Sequence, residues 1–264
     1  MTKIKVGVFG AAGKMGATVC QAVVDDPDLE LVAAVDPLHA GIDLHQLGVN
    51  HSLHVARSAE ALKDAGADVA VDFTVVDAAR ENIDWCAANG VHAVVGTTGF
   101  SPADLDRFER EFAASGANIV LCPNFAIGAV LMMRFAEMAA PYFESAEVIE
   151  LHHEQKIDAP SGTAMLTLER MAAASEDWVA DPTTKTVIEG ARGGAGPADI
   201  RVHSVRLKGL VAHQEVLLGT TGQSLSIRHD SYDRTSFMPG VLLAIRAVRE
   251  RAGLTVGLDT LLGL

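Results

Sequence analysis

The chain has 264 residues, 49% of them hydrophobic and 21% charged, a composition that excludes an intrinsically disordered chain and favours one or two folded domains. Its 34 acidic and 21 basic residues give a formal net charge of −13, which argues against a nucleic-acid partner. No apolar stretch approaches the roughly 20 residues that span a bilayer, and the three cysteines are scattered, so we expect a cytoplasmic protein with no membrane partner and no metal.

The first half of the chain alternates short apolar runs with longer amphipathic ones, which is the pattern of βαβ units around a parallel sheet. The predicted strands are 4–9, 29–35, 69–73, 93–95 and 118–122. The predicted helices between them are 14–24, 78–89 and 102–114. We therefore expect an α/β fold whose first domain is a Rossmann-like dinucleotide-binding domain.

The first predicted strand runs into a glycine-rich turn that leads to a helix, and this turn comprises Gly10, Ala11, Ala12, Gly13, Lys14, Met15 and Gly16. Residues without side chains allow a tight reversal and let a pyrophosphate approach the helix N-terminus. The spacing G-x-x-G-x-x-G matches the usual fingerprint only in part, and a strand-to-helix turn without a ligand is the alternative.

An acidic residue, Asp36, follows the second predicted strand, where it can accept hydrogen bonds from both hydroxyls of an adenosine ribose. Together with the glycine turn, it favours a dinucleotide site. A carboxylate at this position repels a 2′-phosphate, and Pro37, Leu38 and His39 offer no arginine to bind one. We therefore expect NADH as the favoured cofactor and NADPH as the alternative.

Two later segments follow predicted strands at their carboxyl ends, where ligands bind in open α/β sheets. These segments are Gly96-Thr97-Thr98-Gly99 and Pro123-Asn124-Phe125. Their backbone groups could meet a nicotinamide, although ordinary loops have the same composition.

After Asn124 the pattern changes, and this change indicates a second domain. The predicted elements are a helix at 127–138, a strand at 146–151, a helix opening at Ser161, strands at 201–207, 211–218 and 224–228, and a closing helix at 238–251. Glycine-rich connections between the last three strands predict an antiparallel meander. The glycine-rich stretch 190–197 is predicted to be a loop. We expect an α+β domain with a mixed or antiparallel sheet.

The densest set of reactive side chains lies between the strand and helix at the start of this domain. His152, His153 and Lys156 precede the predicted helix start at Ser161, so a local positive charge forms in an acidic protein. A histidine can deliver a proton, and the amides of Gly162 and Thr163 would form an anion site at the helix N-terminus. Solvated histidines or metal ligands are the alternatives, but no H-E-x-x-H spacing is present.

Four motifs in order make the chain resemble the dihydrodipicolinate reductase family over nearly its whole length. They are the G-x-x-G-x-x-G turn, the GTTG segment, the P-N-F segment and the signature H-H-x-x-K-x-D-A-P-S-G-T-A, which begins at His152. The resemblance implies NAD(P)H-dependent reduction of 4-hydroxy-tetrahydrodipicolinate to tetrahydrodipicolinate with loss of water, in lysine and diaminopimelate biosynthesis.

The same resemblance implies roles for individual residues. His152 is expected to donate or accept a proton, Lys156 to donate one, and His153, Gly162 and Thr163 to contact a substrate carboxylate. The positions implied to bind the dinucleotide are Gly10, Ala11, Ala12, Gly13, Lys14, Met15, Asp36, Gly96, Thr97, Thr98, Cys122, Pro123, Asn124 and Phe125. Family members often carry an arginine just after the ribose acid, where this chain has Pro37, and this difference leaves the use of NADPH open.

Family architecture further implies a dinucleotide-binding domain of residues 1–124 and 233–264, a substrate and oligomerisation domain of residues 125–232, and a homotetramer. Hinges near Asn124 and Tyr232 would let the two domains close around a dicarboxylate substrate. The glycine turn and the basic segment are expected to face one crevice.

Two other functions remain compatible with these residues. One is a dehydrogenase of another carboxylate, which should place a cysteine or a different base in the cleft. The other is a nucleotide-binding protein without turnover, for which His152 and Lys156 would have no use.

Overall fold

The computed structural model describes residues 2–264, which form two compact units. Unit 1 comprises residues 2–125 and 237–264, and unit 2 comprises residues 126–236. Within residues 2–264, no helix is both long enough and apolar enough to cross a membrane.

Strands and helices alternate along most of the chain. The strands are β1 (Ile4–Phe9), β2 (Leu29–Val35), β3 (Val69–Asp72), β4 (His92–Val95), β5 (Ile119–Leu121), β6 (Ser145–His152), β7 (Gly194–Ala195), β8 (Arg201–Arg206), β9 (Ala212–Thr220), β10 (Gln223–Ser231) and β11 (Leu254–Val256). The helices are α1 (Lys14–Asp25), α2 (Glu60–Asp64), α3 (Val76–Asn89), α4 (Pro102–Ser115), α5 (Ile127–Ala139), α6 (Gly162–Ala174), α7 (Met238–Ala247) and α8 (Asp259–Leu262).

Unit 1 contains a parallel sheet in the order β11-β5-β4-β3-β1-β2. Every residue of β3 is buried, as expected for a strand covered on both faces. Ile83 of α3 and Phe108 and Phe112 of α4 share one buried cluster with Phe9 of β1. Ser101 caps α4, because its hydroxyl accepts a hydrogen bond from the Asp104 amide and the Asp104 carboxylate bonds back to the Ser101 amide.

The order in which strands are added to this sheet reverses at β1, because β2 lies on one side of β1 and β3 lies on the other. Phe9, the last residue of β1, is in register with Val35 on one side and Asp72 on the other. In open α/β sheets, ligands bind outside the carboxyl ends of the strands at such a switch point. The Rossmann-like fold is therefore confirmed, and it locates a candidate ligand edge.

Unit 2 contains a mixed sheet in the order β10-β9-β6-β8-β7. The pair β6 and β8 is parallel, whereas the other pairs are antiparallel. Val148, Val202 and Val216 from three strands share a buried cluster with Leu168 and Met171 of α6. One face of the sheet is thus covered by helix, and the predicted α+β character with a mixed sheet is confirmed.

The predicted antiparallel meander of β8, β9 and β10 is wrong, because β6 lies between β8 and β9, and of these three strands only β9 and β10 pair with each other. The connection of five residues at 207–211 is long enough to pass one strand, since two strand spacings amount to about 10 Å. The Leu207 amide still donates to the His152 carbonyl, at 3.1 Å. The strand β6, which is distant in sequence from β8 and β9, therefore lies at the centre of the sheet.

The predicted loop at 190–197 contains the short strand β7, in which Gly194 pairs with Val202. A Cβ on Gly193 would lie 2.4 Å from the Val202 carbonyl oxygen. Glycine at this position allows the backbones of β7 and β8 to approach each other closely. The predicted closing helix 238–251 is shorter than expected, because α7 ends at Ala247 and a 3₁₀ turn follows. The short elements α2, α8 and β11 were not predicted.

Candidate functional site

The glycine turn of unit 1 begins directly after β1. Gly10 has a φ of +66°, a conformation that favours glycine. A Cβ on Gly16 would lie 2.0 Å from the Gly10 carbonyl oxygen, so α1 can approach the turn only with glycine at this position. Gly13 and Lys14 are exposed where α1 begins. The turn therefore presents an accessible helix N-terminus, which suits a pyrophosphate.

Asp36 lies at the same edge, one residue beyond β2. Its Oδ1 accepts a hydrogen bond from the Leu38 amide at 3.1 Å and lies 3.0 Å from Nδ1 of His39. The Asp36 side chain is 13% exposed and the His39 side chain 49%. The turn fixes a carboxylate that can accept from ribose hydroxyls, and it adds a histidine to which the sequence analysis gave no role.

Asp72, the last residue of β3, is a buried carboxylate that accepts several hydrogen bonds, a hub that was not predicted from the sequence. Its Oδ1 accepts from the Thr74 amide at 2.8 Å and lies 3.0 Å from the Thr97 hydroxyl, while its Oδ2 accepts from Asn82 at 2.7 Å. Asp72 is 3% exposed. This single carboxylate therefore joins the loops that follow β3 and β4. An acid at the end of an apolar strand was the signal that could have revealed it.

The segment after β4 packs closely under this hub. A Cβ on Gly96 would lie 2.1 Å from the Phe73 ring, and that ring contacts Phe125 at a centroid distance of 5.5 Å. Thr97 is buried and Thr98 is exposed. Thr98 and the local backbone are therefore the groups of this segment that can meet a ligand.

The segment after β5 offers less side-chain chemistry than its residue types suggest. Cys122 is fully buried, and burial raises the pKa of its thiol to about 12, so the thiol stays neutral. Its amide donates to the Val95 carbonyl at 2.9 Å. Phe125 is also buried, whereas Pro123 is exposed and Asn124 is half-buried. Cys122 and Phe125 can thus shape a site but not present polar side chains to it.

In unit 2, His152 ends β6 and is held by a carboxylate. Its Nδ1 lies 2.5 Å from Oε2 of Glu150, two residues earlier on the same face of the strand. His153 is exposed. Lys156 places its Nζ 2.7 and 2.8 Å from the two carboxylate oxygens of Asp158. His152 is therefore oriented by the fold, while Lys156 is paired with a surface acid.

Glu150 has no exposed side-chain surface, and it is joined to Arg206 of β8 through both carboxylate oxygens, at 2.8 and 2.9 Å. The Ser161 amide also donates to it, at 3.3 Å. Burial raises the pKa of this carboxyl, but hydrogen bonds from His152 and Arg206 outweigh burial and lower the pKa to about 2. Glu150 is thus a buried anion. Neither Glu150 nor Arg206 was among the site residues predicted from the sequence.

Helix α6 begins beside this anion. Ser161 is the N-cap, and its hydroxyl accepts from the Ala164 amide at 3.2 Å. Gly162, which is exposed, and Thr163 form the first turn. The helix N-terminus carries partial positive charge, which favours a carboxylate ligand at this point.

A separate cavity of about 330 Å³ opens at the other end of β6 and contains none of the predicted site residues. It is lined by Ser145, Glu147, Trp178 and Arg192 among others. Arg192 pairs with Glu147 at 2.8 Å, and Asp181 accepts from Arg192 and Arg201 at 3.3 and 3.1 Å, so these charged side chains of the cavity are paired with one another. Within residues 2–264, no cluster of three or more histidine, cysteine or acidic side chains could hold a metal ion.

Comparisons with known proteins cover both units. Residues 4–125 match the model of the dihydrodipicolinate reductase N-terminus, and residues 128–262 match that of the C-terminus. The 4-hydroxy-tetrahydrodipicolinate reductase of Mycolicibacterium vanbaalenii is 51% identical over 263 residues, which cover 99% of this chain and 100% of that protein. The enzyme of the same name from Cutibacterium acnes is 50% identical over 268 residues, covering 99% of each.

A solved structure of a reductase is also similar over nearly the same length. The dipicolinate-bound dihydrodipicolinate reductase from a Paenisporosarcina species has 41% sequence identity and a TM-score of 0.86, covering 98% of this chain and 99% of that one. The similarity extends across both units and is not confined to the dinucleotide-binding fold.

Proposed function

This chain belongs to the dihydrodipicolinate reductase family, and we propose that it reduces 4-hydroxy-tetrahydrodipicolinate to tetrahydrodipicolinate in lysine and diaminopimelate biosynthesis. The reaction takes one hydride and one proton and releases water. The observation that carries the proposal is His152, fixed by a buried anion next to a helix N-terminus that suits a carboxylate.

The nicotinamide cofactor would bind at the carboxyl edge of the unit 1 sheet, where it supplies the hydride. Positions Gly10 to Met15 would hold its pyrophosphate, and Asp36 its adenosine ribose. The segments Gly96 to Thr98 and Cys122 to Phe125 would line the nicotinamide end. NADH is the favoured donor because the Asp36 carboxylate repels a 2′-phosphate, and NADPH is the alternative.

The residues of unit 2 would bind the dicarboxylate and supply the proton. Gly162 and Thr163 at the N-terminus of α6, together with His153, would hold a substrate carboxylate. His152 would exchange a proton through Nε2, because its Nδ1 faces Glu150. Lys156 would donate a proton after exchanging Asp158 for the substrate.

We also propose a cytoplasmic homotetramer, assembled through the sheet of unit 2. Helices cover one face of this sheet, and apolar residues including Ile149, Leu151 and Leu217 are only half-buried on the other. A second copy of the chain would cover them. Three free, buried cysteines support a reducing compartment. Sedimentation velocity tests the assembly, and a monomer at micromolar concentration would contradict it.

The activity is tested by following NADH and NADPH oxidation with the product of dihydrodipicolinate synthase, generated in the same reaction. We expect oxidation that depends on the synthase, with a higher kcat/KM for NADH. Oxidation that proceeds only with another carboxylate would indicate a different dehydrogenase. NADH binding without any turnover would indicate a nucleotide-binding protein. Either result would overturn the proposed function.

A further inference from the structure

We propose that Glu150 and Arg206 are positioning residues that hold His152 in a single tautomer, an inference that rests on the proposed function for its catalytic consequence. Neither residue contacts a ligand in this scheme. They act through the ring of His152, which is 16% exposed and ends the central strand β6.

The first observation is the placement of the Glu150 carboxylate. It is fully buried, and its Oε2 faces Nδ1 of His152 at 2.5 Å. A carboxylate held by an arginine is an acceptor only, so the proton of a neutral His152 ring resides on Nδ1. Nε2 then carries the lone pair, and in the protonated ring it becomes the donor. The carboxylate thus specifies which nitrogen exchanges protons with substrate.

The second observation is the geometry of Arg206. It lies in register with His152 on the parallel neighbour β8. Its Nη1 donates to Oε2 of Glu150 at 2.9 Å and its Nη2 to Oε1 at 2.8 Å. Nη2 also donates to the Asp158 carbonyl at 2.6 Å. Both oxygens of Glu150 are therefore fixed, and the loop that carries Lys156 is tied to the same guanidinium.

The third observation is that this group connects three segments of the proposed substrate site. Glu150 belongs to β6, Asp158 to the following loop, and the Ser161 amide, which also donates to Glu150, to the cap of α6. One buried ion pair thus sets the positions of the proton-transferring ring, the Lys156 loop and the helix N-terminus. A shift in any of these would misalign a bound carboxylate with the proton donor.

The chain supplies a matched control on the same strand. Glu147 lies on the opposite face of β6, where it also joins a histidine and an arginine: His203 at 2.7 Å and Arg192 at 2.8 Å. The two groups share their chemistry, but only Glu150 joins His152. Glu147→Gln therefore reports what the loss of a carboxylate on β6 does without contact to the proposed proton donor.

The experiment compares Glu150→Gln with Glu147→Gln in steady-state kinetics and in nitrogen-15 histidine spectra. The signals of His152 are identified by their absence in His152→Asn. The glutamine oxygen can take the place of Oε2, facing His152 and Nη1 of Arg206, or that of Oε1, facing Nη2 of Arg206 and the Ser161 amide. In either case the amide nitrogen is placed against a donor of Arg206. We expect the wild type to show the Nδ1–H tautomer and Glu150→Gln to lose it as the single form. We expect kcat to fall about 100-fold, with the KM for NADH within about twofold.

Glu147→Gln should change the His203 signals and leave the His152 signals as in the wild type. Because Glu147 shares its face of β6 with Ile149 and Leu151, which are proposed to contact a second copy, sedimentation velocity first verifies the wild-type assembly, and in that assembly kcat and KM should equal those of the wild type. If Glu150→Gln does not fold, Arg206→Lys takes its place, because lysine keeps the charge but cannot bridge both carboxylate oxygens and the Asp158 carbonyl. Its kcat should fall about 10-fold. In Glu150→Gln, an unchanged His152 tautomer or an unchanged kcat would overturn the proposal. In Arg206→Lys, which keeps the Glu150 carboxylate beside His152, an unchanged kcat would overturn it. If the wild type shows no reductase activity, the proposed function fails, and the tautomer spectra still decide whether Glu150 positions the ring.

Discussion

Each unit buries one carboxylate near the end of a sheet strand, and the hydrogen-bond partners of the two carboxylates differ in charge. Asp72 in unit 1 receives neutral donors from Thr74, Asn82 and Thr97. Glu150 in unit 2 is paired with Arg206 and His152. Neutral donors fix the shape of a loop edge, which is what a dinucleotide needs. A charged network also controls where a proton resides, which is what an acid catalyst needs.

The largest expected effect comes from leaving Arg206, whose side chain is only 19% exposed, without its anion. We expect Glu150→Leu to lower the free energy of unfolding of unit 2 by about 3–5 kcal/mol. The chain has two tryptophans, Trp85 in unit 1 and Trp178 in unit 2. In a Trp85→Phe background, urea unfolding followed by Trp178 fluorescence therefore reports unit 2. The exposed Glu154→Ala should change the free energy by less than about 0.5 kcal/mol, and a similarly small effect of Glu150→Leu would contradict the account.

The next effect is a loss of stability in acid. Because the folded state lowers the pKa of Glu150 to about 2 from its ordinary 4.5, its stabilisation is complete above the unfolded pKa and is lost as pH falls through about 2. The shift corresponds to about 3 kcal/mol. Urea unfolding of unit 2 at a series of pH values should show this loss. Glu150→Gln should flatten the dependence over that window, and an equal slope in both proteins would be inconsistent with the assignment.

A smaller effect is expected at the neutral hub of unit 1. Asp72→Asn brings a new amide donor against the donor of Asn82, and we expect it to cost about 1–3 kcal/mol. Adding Asn82→Asp restores a donor and an acceptor to that contact. Urea unfolding in a Trp178→Phe background should therefore show the double variant to be more stable than Asp72→Asn alone. Purely additive losses would show that this hydrogen bond does not hold the loop.

The smallest effect concerns cofactor choice. Asp36→Ala should weaken NADH binding about 10-fold, or about 1.4 kcal/mol, because an acceptor for the ribose hydroxyls is lost. NADPH binding should weaken less, since a repulsive charge is lost as well. Asp43→Ala is the matched control, because Asp43 also pairs with a histidine, His45, at 2.9 Å. Fluorescence titration measures both nucleotides, and an unchanged NADH to NADPH ratio would exclude Asp36 as the selector.

The sequence predicted elements whose signal is local. The five strands of the first half were placed within one residue of their observed ends, because apolar runs between amphipathic ones mark a buried parallel sheet. The N-cap of α6 at Ser161 was visible because serine is a preferred N-cap residue. The pattern of a strand followed by a glycine turn and a helix located the start of α1.

What the sequence could not predict depends on contacts between distant residues. The insertion of β6 between β8 and β9 is a pairing choice that no local pattern encodes. Glu150 and Arg206 are 56 residues apart, and each looks like an ordinary polar residue of a strand until the register brings them together. Gly193 resembled a loop glycine because only the structure shows the Val202 carbonyl beside it.

The central claim, that unit 1 holds the hydride donor while His152 and Lys156 of unit 2 supply the proton, is tested most directly by single-turnover NADH oxidation in the variant His152→Ala/Lys156→Ala. We predict an unchanged dissociation constant for NADH and a rate of hydride transfer that falls at least about 100-fold. A double variant that oxidises NADH at the wild-type rate would contradict the account.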